Sequence, residues 1–297
     1  MKDGLAAFIY RTILKPAPLR WLANQVLLLL IPKTITIPEG TLSLNPNDPV
    51  ISGALALGVY ETFEMELFRD ILTEGMTVLD IGANIGIYSV IAAKHVGQTG
   101  KVLACEPEPV NFSILKHNIE QNGFTNVVAY DRAIADKEGT MELHLSKTNK
   151  GHHSLVGGDS NDFSSFISVP VITGDMLLAE AHIEKIDVMK IDIEGAEPLA
   201  LAGLEKTLEL FDLTLFFEFS PKTIQDSGFE PEHLLVSLNE KGFEIYEIQE
   251  HKKKLSRIED AHTFAKHFSG AQYANLLCIK NPKIAARVGH HITLLAA

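Results

Sequence analysis

Val78-Leu79-Asp80-Ile81-Gly82-Ala83-Asn84-Ile85-Gly86-Ile87-Tyr88 is the stretch on which the fold turns. Val78, Leu79 and Ile81 form the apolar run of a central parallel strand, which is buried on both faces. Asp80 interrupts that run near the strand's carboxyl end. Gly82 and Gly86 carry no Cβ, so the backbone there can turn sharply and lie close to a ligand. A helix is predicted from about Ile87 to Val96, with its free N–H groups and positive dipole end facing the same crevice. In open α/β sheets, ligands bind in that crevice, outside the carboxyl ends of the strands.

A second strand is expected over Lys101 to Glu106, ending on a carboxylate. Glu106 lies twenty residues beyond Gly86, about the spacing at which an acidic residue meets a ribose in a Rossmann-type site. Its two acceptor oxygens suit the two donors of a ribose diol. Nicotinamide sites favour Gly-x-Gly-x-x-Gly, whose middle glycine admits a pyrophosphate. Here the pattern is Asp80-x-Gly82-x-Asn84-x-Gly86, with the glycines four apart. That suits a smaller ligand without a pyrophosphate, and S-adenosylmethionine is the natural candidate.

Three motifs, Asp80-Ile-Gly-Ala-Asn-Ile-Gly86, Glu106-Pro-Glu-Pro109 and Lys190-Ile-Asp-Ile-Glu-Gly-Ala-Glu197, stand in this order. Together they resemble the FkbM family of S-adenosylmethionine-dependent methyltransferases, over about Gly58 to Tyr246. The alternation of strands and helices itself argues a doubly wound α/β sheet. The resemblance refines this to a Rossmann-like fold of seven strands, mostly parallel with the last antiparallel, and helices on both faces. It implies methyl transfer, mostly to a hydroxyl of a small molecule, glycan or lipid. It also implies that Asp80, Gly82, Ala83, Asn84, Gly86 and Glu106 meet the cofactor, with Tyr60 and Glu61 near its methionine end, although Glu61 reads equally as a solvated glutamate on a helix face. Asp131 and Ala133 fall in the turn beside the adenine edge, although Asp131 reads equally as a plain turn carboxylate.

An alcohol is a poor nucleophile while protonated, so a general base must take its proton or a metal ion must lower its pKa. Lys190-Ile191-Asp192-Ile193-Glu194 offers both routes. On a strand, residues 190, 192 and 194 share one face, and three ionisable groups there are costly unless paired or used. Asp192 is the first choice for deprotonation or metal binding, Glu194 the next, and Lys190 orients the acceptor or depresses a neighbouring pKa. Glu218, at the end of the following strand, would complete an oxygen site for Mg²⁺ with Asp192. The plain alternative is a structural ion pair of Lys190 with Asp192 or Glu194. Two other functions compete: an NAD-dependent oxidoreductase, and a cofactor-binding scaffold without transfer activity.

Composition bounds the rest. The chain has 297 residues, 46% hydrophobic and 22% charged, with a net charge of −12. That is enough for one large domain, and the acidic balance argues against a nucleic-acid partner. Cys105 and Cys278 lie among apolar neighbours, as buried free thiols do in a reducing cytoplasm. Residues 1–31 are apolar and expected to be helical, broken at Pro16 and Pro18; the most apolar piece, Val26 to Ile31, is too short to span a bilayer, with Lys15, Arg20 and Trp21 as anchors for weak peripheral contact. The domain organisation expected is an extension over 1–75, holding that helix and a hairpin at Thr34–Leu44, a methyltransferase domain over 76–282, and a tail over 283–297. The polar stretch from Lys147 to Ser165 reads as a lid over the acceptor pocket. Its His153 is a candidate base, although a solvated loop histidine is the default reading.

Overall fold

The computed structural model describes residues 30–146, 153–156, 163–268, 270 and 272–293. The apolar segment with Lys15, Arg20 and Trp21 lies outside them, as does most of the 147–165 loop. The described chain opens on an antiparallel hairpin, β1 (Thr34–Ile37) and β2 (Gly40–Ser43). Helices α1 (Ile51–Ala56) and α2 (Thr62–Ile71) follow. On α2, Phe63, Leu67 and Ile71 recur every four residues and are fully buried together with Phe68, the pattern of an amphipathic helix.

The glycine turn then links β3 (Thr77–Ile81) to α3 (Ile87–Val96). Next come β4 (Lys101–Cys105), α4 (Pro109–Gln121) and β5 (Val127–Tyr130). A separate three-stranded sheet, order β6-β8-β7, is built from β6 (Ala133–Ile134), β7 (Gly139–Ser146) and β8 (Phe163–Ile172). The main sheet resumes through α5 (Gly174–Glu180), β9 (Val188–Ile191), α6 (Glu197–Ala202), α7 (Glu205–Leu210) and β10 (Thr214–Phe219). It ends with α8 (Pro221–Asp226), α9 (Pro231–Glu240), β11 (Glu244–Gln249), β12 (Lys254–Arg257), α10 (Ala261–Lys266) and β13 (Ala274–Ile279). Last are α11 (Pro282–Val288) and β14 (Ile292–Thr293).

Strand order across the main sheet is β14-β12-β11-β13-β10-β9-β3-β4-β5. The five strands from β10 to β5 are parallel, and β13 enters antiparallel between β10 and β11. These seven are the doubly wound core that the sequence leads one to expect. The sheet itself has nine strands, because β12 and β14 extend the β11 edge. The lysine run 252–254, which by its charge alone reads as a solvated turn, ends in the sheet: Lys254 starts β12 opposite Gln249. Residues past 282, which show no pattern in sequence, bury Ile284 and Val288. A seven-residue helix has too few turns for its periodicity to register.

Alternate residues of each central strand feed opposite layers. Leu79, Ile81, Leu103, Met189, Ile191, Leu215 and Phe217 pack on one side of the sheet. Val78, Val102, Val188 and Phe216 pack on the other, against α2 and α3. Each such aliphatic side chain contributes roughly 1.5–3 kcal/mol by leaving water, so the register is fixed and with it the positions of Asp80 and Lys190. No described helix is long and apolar enough to cross a membrane.

Candidate active site

The carboxyl ends of β3, β4, β9 and β10 meet in one crevice. Asp80 stands opposite Lys190 in the ladder, and Lys190 opposite Phe216. Both polar residues therefore face the α2–α3 layer. Lys190 is 2% exposed and lies 3.1 Å from Glu64 and 3.3 Å from Asp192. Its ammonium also stands over the Tyr88 ring at 4.9 Å. Burial works against the charge, but Asp192, Glu64 and Glu61 outweigh it and hold the ammonium well above the ordinary lysine range. The ion pair with Asp192 that stood as the plain alternative is thus present, and Glu64, one turn along α2 from Glu61, is the partner that sequence did not suggest.

Strand β9 stops at Ile191. The expectation that 190, 192 and 194 share a strand face is therefore not met. The bend is built by Glu197, fully buried, whose carboxylate accepts the N–H groups of Ile193 at 3.1 Å and Gly195 at 2.8 Å. Asp192 N–H donates to the Ile81 carbonyl at 3.0 Å, and Glu194 takes a left-handed φ of 55°. The turn still brings Asp192 and Glu194 together, and their carboxylate oxygens lie within 4.8 Å of each other and of Glu218. Burial, then the Glu194 and Asp192 charges, push Glu218 well above the ordinary carboxylate range.

Gly82 has φ 79°, and a Cβ there would run into the Asp192 carbonyl. Gly86 has φ 90° and packs against Leu115. Both positions therefore require glycine. Asn84, between them, also takes a positive φ of 51° and donates its N–H to Glu106 Oε2 at 2.8 Å. Glu106 Oε1 accepts from Glu108 N–H at 2.9 Å. Each oxygen keeps a second lone pair. Burial, opposed by these two N–H groups, pushes Glu106 up to about 7. Asp80 accepts from Ser89 Oγ at 2.5 Å and is pushed by burial to about 6.

Two cavities divide the crevice. One is lined by Glu106, Arg132, Ala133, Gly82, Asn84 and Asp192, and has a volume of about 40 Å³. The other is lined by Glu61, Asp80, Ala83, Tyr88, Lys190 and Glu218, with Gly82, Asn84, Glu194 and Asp192 again. Gly86 and Asp131 line neither. Asp131 is exposed, and its neighbour Arg132 points in instead. His153 and Leu155 cover the Glu106 cavity, where the sequence led us to expect a lid over the acceptor. Ser154 ties that segment down by donating to the Glu194 carbonyl at 2.7 Å.

Glu61 begins α2 with a strained φ of 35°. Its carboxylate accepts from Tyr88 Oη at 2.7 Å and Asn275 Nδ2 at 3.2 Å. Burial, then Glu64, push it to about 8. Beyond it opens a larger cavity of about 610 Å³, reached through Val50, Tyr60, Glu61 and Tyr273, which line both spaces. Sequence reasoning missed Tyr88, Tyr273 and Asn275 in this wall.

The donor set suits S-adenosylmethionine: a carboxylate at the β4 end for a ribose, and the acidic wall of Glu61 and Asp80 for an ammonium. Residues 80–245 match the Methyltransferase FkbM domain, more than half of the chain. The chain belongs to the FkbM methyltransferase family. Its members use S-adenosylmethionine, so the NAD-dependent oxidoreductase reading is set aside. Over 240 residues the chain is 26% identical to methyltransferase sdnD of Sordaria araneosa, covering 67% of this chain and 90% of that protein. It is 28% identical over 179 residues to the 31-O-demethyl-FK506 methyltransferase FkbM of Streptomyces tacrolimicus, covering 47% of this chain and 68% of that one. A third relative is the hexuronic acid methyltransferase AglP of Haloferax volcanii, 26% identical over 150 residues, 49% of this chain and 58% of that protein. The FkbM match runs from β3 into β11 and so contains the glycine turn, Glu106 and the Lys190–Glu197 bend.

Proposed function

We propose that this FkbM-family enzyme methylates a hydroxyl oxygen of a small molecule or glycan, seated in the 610 Å³ cavity beside Tyr60 and Tyr273. A lipid hydroxyl belongs to the same reading. The observation that carries it is the place of Asp192. It lines both cofactor-side cavities, one of which runs on past Glu61 into the larger space. S-adenosylmethionine, when bound, supplies an activated methyl on a sulfonium. Transfer forms an O–C bond, breaks the C–S bond and releases the acceptor's proton. Asp192, 23% exposed and tied to Lys190 at 3.3 Å, takes that proton. Lys190 acts as a positioning residue by holding Asp192 at the crevice mouth. Gly82, Ala83, Asn84 and Glu106 hold the adenosyl side, with Ala133 at its far wall. Glu61 and Asp80 face the amino acid end. The names of the two relatives, one acting on an O-demethyl compound and one on a hexuronic acid, support an oxygen acceptor on a polyhydroxylated molecule.

A second reading uses Mg²⁺ on Asp192, Glu194 and Glu218, whose oxygens converge within 4.8 Å. A cation there would reverse the upward push on Glu218. Activity that survives EDTA removes this reading and leaves Asp192 as base. Burial of both free thiols, Cys105 and Cys278, supports a cytoplasmic setting. The test of the main reading is transfer of isotopically labelled methyl to a panel of hydroxylated acceptors, with NMR of the product. Label on oxygen is expected. Label on nitrogen or carbon, or no transfer to any acceptor, would overturn it.

A further inference from the structure

We propose that Asp70, His290 and His291 form a binding site for a divalent transition-metal ion, zinc by its donor set. This site joins the end of α2 to the turn before β14, away from the crevice. One ligand atom from each residue lies within 4.8 Å of the others. His291 Nε2 is shut off from solvent and makes no hydrogen bond. It stands 3.7 Å from the Asp70 carboxylate. A plain histidine–aspartate hydrogen bond closes to about 2.8 Å, whereas donors around a tetrahedral zinc with bonds of about 2.0–2.1 Å sit about 3.3 Å apart. The observed spacing is the nearer to the second.

His290 supplies the second argument. Its Nδ1 lies 3.1 Å from the Arg287 carbonyl. A carbonyl can only accept, so Nδ1 carries the proton and Nε2 is left with the lone pair that binds a metal. Ligating histidines are oriented by such backbone carbonyls. The two imidazoles lie against each other with centroids 3.9 Å apart, and His291 is held from behind by the edge of Phe63 at 5.1 Å. Asp70 sits in the last turn of α2, where a carboxylate opposes the helix dipole. Arg287 already serves that end by donating to the Ile71 carbonyl at 2.7 Å, and a bound cation would offset the remaining misplaced charge. Two imidazoles and one carboxylate, with a position left for water, suit Zn²⁺ or Co²⁺ rather than Mg²⁺. The ion would pin α11 and β14 to α2, whose other end carries Glu61 and Glu64.

The test titrates the full chain with ZnCl₂ and, for the spectrum, CoCl₂. Alongside the wild type run His290→Ala, Asp70→Ala and Asp192→Asn. His290 is exposed, so its truncation leaves the core intact. One equivalent of Zn²⁺ binding at micromolar Kd or tighter is expected, with a visible Co²⁺ d–d band. His290→Ala and Asp70→Ala should weaken binding tenfold or more, and Asp192→Asn should leave it unchanged. Zinc at a hundredfold excess over Kd should raise the thermal midpoint by about 5 °C in the wild type and not in His290→Ala. Wild-type protein that binds no zinc below about 100 μM, equal binding by both site variants, or loss of binding in Asp192→Asn alone would each overturn the proposal.

Discussion

Glu106 is anchored by two backbone N–H groups and yet held near 7. A value raised above that of an unfolded chain favours the folded state at low pH, and that contribution is lost as pH rises through 7. Cofactor binding runs the other way, because ribose hydroxyls donate and want the carboxylate. The Glu106 contribution to S-adenosylhomocysteine affinity should therefore rise about tenfold between pH 6 and pH 8. Calorimetry across that range checks it, with the rise in Glu106→Gln expected to be smaller by that factor, because Asp80 near 6 and Glu61 near 8 still titrate at the amino acid end. Glu106→Ala at pH 8 should weaken binding tenfold or more, about 1.4 kcal/mol. Asp192 makes the opposite prediction. Asp192→Asn should leave that affinity nearly intact and lower turnover at least a hundredfold, the low end of general-base contributions. Wild-type turnover in this variant would remove Asp192 from the chemistry. Lys190→Met tests the ion cluster itself. It leaves Glu64, 1% exposed, without its cation, and loss of a buried partner costs about 3–5 kcal/mol, readable by urea unfolding.

Element by element, legibility followed sequence distance. The β3–α3–β4 unit was readable because its turn, strand and helix signals are all local. Glu106 completes it from only 22 residues beyond Asn84. The β9 exit misled because a strand's alternation was extended past the point where Glu197 bends the chain. The wall around Glu61 was unreadable for a different reason. Asn275 reaches Glu64 across 211 residues and Glu250 reaches Glu64 across 186, and no periodicity encodes such pairs. Three positive-φ residues at the crevice, Glu61, Asn84 and Glu194, are likewise tertiary facts. Glu250 shows what this means for α2. Its carboxylate accepts from Thr62 Oγ1 at 3.0 Å, Phe63 N–H at 2.8 Å and Glu64 N–H at 3.2 Å, serving as the cap α2 lacks in its own sequence. Glu250→Ala should cost about 1–2 kcal/mol and loosen Glu61. Urea midpoints should fall at constant slope, and turnover should fall with them, while Glu250→Gln recovers part of both.

For the molecule as a whole, the proposed function divides the nine-stranded sheet into two halves. The glycine turn and Glu106 lie on the β3–β4 side, while the larger cavity draws its wall from α1, the turn before α2, β11 and the start of β13. Helix α11 packs chiefly on α2 and β13, in the second half. In α11, Ile284 and Val288 are buried against the layer that holds Phe63, Leu67 and Ile71, and Arg287 closes the end of α2. A chain ending at Asn281 would lose both aliphatic contacts, about 3–6 kcal/mol together, and the thermal midpoint should fall by about 10 °C. If the halves are separable, the shortened chain at low temperature should bind S-adenosylhomocysteine within threefold of the full chain and transfer methyl poorly. An equal loss of binding and transfer would mean that α11 supports the sheet as a single unit and that the crevice has no independent cofactor half.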